Sequence, residues 1–175
     1  MGGVIILSEK LLNKLNEQVT HEFHAAHLYV SMAAYCDSID LDGCSNFFLM
    51  QAEEERFHAM KLFNYISEQG EKVVIGALEA PQQDFDSVLD VFESALEHEK
   101  KVTSLIYKLM DIATEEREYA TISFLNWYVD EQVEEEASFS TLIEKFKAAE
   151  HNKGLLHMLD EQLGQRKFEE SNDED

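Results

Sequence analysis

The stretch WYVDEQVEEEASF, Trp127–Phe139, places five acidic side chains within seven positions, between bulky apolar residues. The acids are Asp130, Glu131, Glu134, Glu135 and Glu136. Charge runs of this kind usually form the solvated face of a helix. At about 100° per residue, however, Glu135 lies within about 40° of an apolar stripe that contains Phe124, Tyr128, Phe139, Leu142 and Phe146. Glu135 is therefore predicted to point into a core, whereas Asp130 and Glu136 lie about 100° or more away and are predicted to be solvated.

Glycine and proline divide the chain into long helical segments, because the seven glycines and the single Pro81 leave long stretches without a helix breaker. Ser8 can cap a first helix that ends near Asp37, Asp42-Gly43 marks a turn, and Gly70 can end a second helix. The connection that follows contains a short extended VVI segment, and the boundary between the third and fourth helices contains neither Gly nor Pro. We predict helices over about 9–37, 45–69, 87–113, 119–150 and 153–168, with the connection at 71–86.

Four long helices and one long connection indicate an all-α four-helix bundle with a crossover between helices two and three and a short fifth C-terminal helix. In such a bundle, helices two and three run parallel. Residues 1–168 are predicted to form a single domain, since this length suits one hydrophobic core. Residues 169–175 are predicted to form an acidic, disordered tail.

The net charge restricts the possible ligands. The formal charge is -22, from 36 acids and 14 bases. This charge repels nucleic acid and anionic membranes and favours cations or basic partners. No apolar run approaches membrane-spanning length, and the opening MGGVIIL lacks the basic segment of a signal peptide and has Ile6 where myristoylation needs Ser or Thr. Two cysteines, Cys36 and Cys44, form neither a disulfide framework nor a C-x-x-C motif, so a cytoplasmic location is expected.

Each of the other three long helices also carries one glutamate on its apolar face, near its middle. These residues are Glu22, Glu55 and Glu99. A buried carboxylate without a partner is costly, and four that converge in one core repel one another. No Lys or Arg shares these apolar faces close to the acids. The acids therefore either bind cations or, in the alternative reading, lie partly exposed at the ends of the bundle.

One histidine completes a pattern typical of metal ligands. Glu55-Arg56-Phe57-His58 is a Glu-x-x-His motif, in which the imidazole lies one helical turn from the Glu55 carboxylate. Two divalent cations would offset the charge of four carboxylates. Carboxylate and imidazole ligands suit iron or manganese better than structural zinc. A purely structural bundle remains the alternative, and in it the four glutamates could be replaced by leucine with a gain in stability.

Over nearly its whole length the chain resembles the non-haem ferritins of bacteria and archaea, which belong to the ferritin-like di-iron family. The matching motifs are LNEQVTHEFHAAHLY at 15–29, QAEEERFHAM at 51–60, EHEK at 97–100 and FLNWYVDEQVEEEA at 124–137. Ferritin-like di-iron bundles can carry two Glu-x-x-His motifs. Here the fourth helix instead reads Gln132-Val133-Glu134-Glu135, which speaks against bacterioferritin and rubrerythrin. Arg56 stands where bacterioferritin has its haem-binding Met, so no haem is expected.

The resemblance implies an iron-storage protein with a ferroxidase centre in each subunit of a 24-subunit cage. The centre would oxidise Fe²⁺ to Fe³⁺ with O₂ or peroxide and pass the product to a ferric mineral. By matching positions, the resemblance assigns the first iron to Glu22 and His58, the bridge to Glu55, and the second iron to Glu99 and Glu135. It gives supporting roles to Gln132 and Tyr29. A third iron site nearby would use Glu54, Glu131 and Glu134.

Two other metalloprotein classes use a similar bundle. A di-iron carboxylate peroxidase or oxygenase would normally need an electron-delivery module and a pocket for an organic substrate. A small DNA-protecting cage would place its iron ligands between subunits and lack the fifth helix. Among the remaining histidines, His21, His24 and His27 are predicted to serve surface or subunit contacts, with His24 and His27 facing outward, and His98 and His151 have no evident partner.

Overall fold

The computed structural model describes residues 7–168, which form five α-helices and no strand. The helices are α1 (Glu9–Ser38), α2 (Asp42–Glu68), α3 (Val88–Glu115), α4 (Tyr119–Ala149) and α5 (Lys153–Leu163). The predicted all-α bundle is thereby confirmed. None of the described helices is long and apolar enough to cross a membrane. The predicted acidic tail at 169–175 and the opening residues 1–6 lie outside the described part of the chain.

The helix ends follow local capping chemistry. The Ser8 hydroxyl accepts a hydrogen bond from the Leu11 N–H at 3.0 Å, as expected for an N-cap. Gly70 has a φ of 78°, the left-handed conformation that ends α2 as predicted. Between α3 and α4 the same conformation falls on Arg117, with a φ of 58°. This helix boundary is therefore real although its sequence contains no glycine.

Two predicted boundaries are wrong, and both lie where α5 meets α2. Helix α2 begins at Asp42 rather than near Ser45, and α5 ends at Leu163 rather than at Phe168. The Asp160 carboxylate of α5 accepts the Cys44 N–H at 2.8 Å and so caps the start of α2. Such a cap comes from another helix and leaves no local signal in the sequence.

The connection at 69–87 runs along α1 and fixes the direction of α3. Asn16 contacts the Lys72 and Val74 backbone, and further along α1 the Ser31 hydroxyl donates to the Gln82 carbonyl at 2.7 Å. The path from Asn16 to Ser31 spans about 22 Å along a helix axis. The connection thus returns to the end of the bundle where α2 begins, so α2 and α3 run parallel. No strand forms at the predicted VVI segment, where the Val74 N–H donates to Asn16 instead.

Two apolar clusters fill the two ends of the bundle. One consists of buried apolar residues within 7–19, 62–66, 102–113 and 125–128. The other consists of buried apolar residues within 26–36, 44–52, 91–95 and 139–149, and α5 adds Leu159 and Leu163 to it. Between them every long helix contributes buried polar residues near its middle. The polar layer therefore crosses the bundle between two apolar clusters.

Candidate metal centre

The polar layer is built from the four predicted glutamates and His58. Glu22, Glu55, Glu99 and Glu135 are 1%, 2%, 0% and 8% exposed, and His58 is 4% exposed. The prediction that one glutamate of each long helix faces the core is therefore confirmed. The reason is periodic: each acid continues the apolar face of its own helix, which must pack inward.

Three of these side chains come close enough to share one cation. Glu22, Glu55 and His58 each offer a ligand atom, and the three atoms lie within 4.8 Å of one another. The His58 Nδ1 lies 3.4 Å from Glu55 Oε2. The Oε2 atoms of Glu22 and Glu55 are buried and have no hydrogen-bond partner. Unpaired buried carboxylate oxygens are costly, so this arrangement suits a cation that would complete their coordination.

Glu99 and Glu135 lie in the same layer but are held by hydrogen-bond donors. The Tyr29 hydroxyl donates to Glu99 Oε1, and Gln132 Nε2 donates to Glu99 Oε2 at 3.1 Å. Gln51 Nε2 donates to Glu135 Oε2 at 3.0 Å. Within residues 7–168, Glu22, Glu55 and His58 form the only group of at least three such ligands that close together. The structure thus brings Tyr29 and Gln132 to one carboxylate and leaves Glu99 and Glu135 outside the tightest group.

Burial raises the pKa values of all four carboxyl groups, and repulsion from neighbouring carboxylates raises them further. Burial raises the pKa of Glu22 well above its usual range, and the neighbouring Glu55 carboxylate raises it further. Burial also raises the pKa of Glu55 well above its usual range, and the charges of Glu99 and Glu135 raise it further. Burial also raises the pKa of Glu99, against the hydrogen bonds from Tyr29 and Gln132. Glu135 reaches a pKa of about 8, through burial and then the charge of Glu99. The layer therefore binds protons readily and would release them to a metal.

Two buried glutamines belong to the site although sequence reasoning gave them no role. Gln51 is 1% exposed and holds Glu135, while Gln18 is 2% exposed and donates to Glu22 Oε1 at 2.8 Å. A signal was available, since each amide precedes an inward glutamate of its own helix by four residues, Gln18 before Glu22 and Gln51 before Glu55. Residues with that spacing lie on one face of a helix.

Glu136 was predicted to be solvated, and this prediction is wrong. Its side chain is half-buried, and its Oε1 accepts the Thr103 hydroxyl at 2.6 Å. Thr103 Oγ1 also lies 3.1 Å from Gln132 Nε2, which donates to Glu99. The phase angle alone placed Glu136 off the apolar stripe, but α3 covers that side of α4. A chain of hydrogen bonds therefore leads from Glu136 to a carboxylate of the polar layer.

Beside the layer lies a partly open cavity of about 250 Å³ that contains the three acids assigned to a third site. Its lining includes Glu54, Glu131, Glu134, Glu135 and His58. The His58 Nε2 lies 3.9 Å from Glu131 Oε2. Arg166 reaches into the same cavity and forms two 2.8 Å hydrogen bonds to the Glu54 carboxylate. No role for this arginine follows from the sequence.

The remaining histidines and the two cysteines differ in how deeply they are buried. His27 is exposed as predicted, but His24 is half-buried and its ring lies 6.4 Å from that of His98. The His98 ring also meets the Tyr29 ring edge-on at 6.1 Å, so His98 has partners that the sequence did not reveal. Burial lowers the pKa of His98 to about 4. Cys36 and Cys44 are buried and unbridged.

Comparison with known proteins identifies relatives over most of the chain. Residues 12–149 match the family described as ferritin-like domain. Bacterial non-heme ferritins are similar to this chain: that of Staphylococcus saprophyticus is 46% identical over 166 residues, covering 95% of this chain and 99% of the relative. One from Staphylococcus aureus is 47% identical over 165 residues, covering 94% and 99%.

Two solved ferritin structures are similar to this chain over nearly its whole length. An engineered closed form of the Archaeoglobus fulgidus ferritin has a TM-score of 0.92 and 45% identity, and the match covers 93% of this chain and 99% of that one. An open pore ferritin from the same archaeon has a TM-score of 0.91 and 45% identity, with 92% and 98% covered.

The bundle and its carboxylate layer thus define a protein of the ferritin-like class. Within that class, the chain is similar over nearly its whole length to bacterial and archaeal ferritins, which identifies its family. The chain belongs to the ferritin family of iron-storage proteins and is of the non-haem type found in bacteria and archaea.

Proposed function

We propose that each chain oxidises Fe²⁺ at the polar layer and that the assembled protein stores the product as a ferric mineral. The observation that carries this proposal is the set of four buried glutamates and one buried histidine between two apolar clusters. Neutralising such a layer requires protons or cations. Iron is the substrate and cargo here, and the carboxylate and imidazole donors suit it.

The proposed ligand set divides the layer between two ions. Glu22 and His58 would bind the first Fe²⁺, Glu55 would bridge, and Glu99 and Glu135 would bind the second. Supporting this division, Glu22, Glu55 and His58 already lie together. Glu99 and Glu135 each keep one carboxylate oxygen on an amide donor, Gln132 or Gln51, which orients the carboxylate.

Each Fe²⁺ supplies one electron, so a pair of ions matches a two-electron oxidant. With O₂, two Fe²⁺ and two protons give two Fe³⁺ and one H₂O₂; with H₂O₂, two Fe²⁺ and two protons give two Fe³⁺ and two H₂O. Ions held side by side can transfer both electrons without either ion diffusing away. The protein's contribution is the fixed pair of positions, since the protons of the layer leave when the ions bind.

The cavity with Glu54, Glu131 and Glu134 would bind a third iron ion on the way to the mineral. These acids are half-buried or exposed, whereas those of the layer are buried. A partly exposed site exchanges its ion more easily than a closed one. The mainly charged lining also favours a cation over the organic substrate that an oxygenase would need.

We further propose a homo-oligomeric cage, in keeping with the family's 24-subunit form. Several large apolar side chains are exposed on the single chain, on α1 and along the crossover connection. They include Val30, Val74, Ile75 and Leu78. Apolar residues exposed on α1 and on the connection that runs along it support burial by further copies.

Aerobic addition of Fe²⁺ to the purified apoprotein tests this function. Oxygen uptake should rise with added iron, and the iron should co-elute with the protein on size exclusion at far more than three ions per chain. If the protein elutes at the mass of the iron-free assembly and the iron elutes separately, the storage function is contradicted. Oxidation no faster than in buffer would contradict the proposed centre.

A further inference from the structure

One cation of the protein itself lies among the acids of the third site. The Arg166 guanidinium pairs with both oxygens of Glu54 at 2.8 Å, and both side chains are mostly buried, at 25% and 23% exposed. Both hydrogen bonds come from the single Nη2 atom of Arg166, so one charge-assisted, bifurcated contact joins the guanidinium to the carboxylate. Arg166 and Glu54 line the same cavity as Glu131, Glu134 and His58.

Helix α2 holds Arg166 from three directions. The guanidinium lies over the Phe47 ring, 4.4 Å from its centroid. The Arg166 carbonyl accepts from Asn46 Nδ2 at 3.0 Å, which ties the segment after α5 to the start of α2. Glu54 lies two helical turns beyond Phe47. A cation–π contact, a backbone anchor and an ion pair together fix the charge at the cavity.

We propose that Arg166 competes with the iron ion for Glu54 and so keeps the third site weak. This proposal rests on the function proposed above. An incoming ion must separate Glu54 from the guanidinium or share the carboxylate with it, and the positive charge of Arg166 repels the ion throughout. Iron that leaves the oxidation centre would therefore pass through the cavity instead of staying there.

Without Arg166, three carboxylates beside a partly open cavity would form a firm oxygen-donor site for a divalent cation. Such a site would retain an ion that the mineral should receive. Arg166 also offsets the charge of Glu54 when no iron is bound, which limits repulsion around the cavity. The same side chain thus stabilises the iron-free state and weakens the iron-loaded one.

Anaerobic calorimetric titration of the assembled apoprotein with Fe²⁺ tests this role. The wild type should show two tight ions per chain and a weaker third. Arg166→Gln should tighten the third by roughly five- to tenfold and leave the first two unchanged, because it removes one partly screened positive charge. Arg166→Lys, which keeps the charge but loses the planar guanidinium over the Phe47 ring, should lie between them.

Two further variants make the result specific. Arg56→Gln removes the same charge from the same region, but Arg56 is exposed and contacts Glu53 at 3.9 Å outside the cavity, so it should change nothing. Asn46→Ala loosens the Arg166 segment without altering the charge and should tighten the third site by a smaller factor.

The outcomes separate the two proposals. If the wild type lacks the tight pair, the proposed oxidation centre fails, whatever happens at the third site. If the pair is present and Arg166→Gln leaves the third site unchanged or weakens it, the competing role of Arg166 is wrong. A thermal melt of each variant checks that it folds. If Arg166→Gln does not fold, the effect of Asn46→Ala on the third site decides the role of Arg166.

Discussion

Three of the four inward glutamates are oriented by hydrogen-bond donors. Gln18 holds Glu22, Gln51 holds Glu135, and Tyr29 with Gln132 holds Glu99. In Glu22 and Glu135 the donor holds one carboxylate oxygen and leaves the other available to an ion, whereas both oxygens of Glu99 accept hydrogen bonds. Loss of such a supporting contact typically lowers metal affinity or activity by about 10- to 100-fold.

The Thr103 hydroxyl gives a test of this support. Thr103→Val keeps the shape but removes the acceptor of Gln132 and the donor to Glu136. We expect the first iron oxidation to slow by about tenfold, because Gln132 loses its fixed orientation toward Glu99. Thr103→Ser should restore the rate, and stopped-flow absorbance measures it. A rate for Thr103→Val equal to that of the wild type would show that the hydrogen-bond chain is incidental.

The raised carboxyl pKa values predict how the stability of the apoprotein depends on pH. A carboxyl group whose pKa is higher in the folded state contributes stability below its unfolded pKa, and loses it as pH rises to the folded value. For Glu135 this window runs from 4.5 to about 8. Denaturant titrations should show a less stable metal-free bundle at pH 8 than at pH 5.5.

Occupancy by a divalent cation should reverse this trend. The cation replaces the protons, so its binding should release protons and raise stability most at pH 8. Replacing Glu135 by Gln should flatten the pH dependence of the apoprotein. An apoprotein that grows more stable from pH 5.5 to pH 8 would contradict the electrostatics of the layer.

At the scale of elements, α5 is joined to α2 by backbone contact. A Cβ built on Gly43 would lie 1.7 Å from the Asp160 carbonyl oxygen, so only glycine fits between the two helices. The same approach brings the Asp160 carboxylate to the Cys44 N–H. The contact fixes the start of α2 and the position of the segment that carries Arg166.

Gly43→Ala should therefore move α5 away from α2. We expect a loss of about 1–3 kcal/mol in the free energy of unfolding, as for other overpacked contacts. Chemical denaturation measures this loss. Gly154→Ala is a matched control, because its added methyl group would lie 3.4 Å from the nearest atom, Asn152 Oδ1. Equal effects of the two changes would contradict a specific role for Gly43.

The helices and the inward acids could be predicted because both follow from local periodicity. A repeat of 3.6 residues places Glu22, Glu55, Glu99 and Glu135 on core faces without knowledge of any neighbour. The missed features join residues far apart in the chain. Gln51 and Glu135 are separated by 84 positions, Glu54 and Arg166 by 112, and Cys44 and Asp160 by 116. Such pairs depend on how the helices pack, and one sequence carries no direct record of that.

For the whole molecule, the proposed assembly is supported by the exposed apolar residues and by the family. Light scattering should give a particle of about 24 chains. Val74→Glu together with Ile75→Glu places charge on the crossover connection, where both native side chains are exposed. We expect this change to shift the particle toward smaller species while each bundle stays folded by circular dichroism. A wild-type dimer or dodecamer would contradict the cage.

The proposed oxidation requires that Glu135 and its three counterparts bind the iron pair. Stopped-flow absorbance tests this requirement, after O₂ is mixed with apoprotein preloaded anaerobically with two Fe²⁺ per chain. Glu135→Ala should slow the first oxidation by at least about tenfold, because the second ion loses a ligand. Asp130→Ala, an exposed acid on the same helix, should leave the rate within about twofold of the wild type. If both changes slow the oxidation equally, or if neither slows it, the assignment of Glu135 as an iron ligand is contradicted.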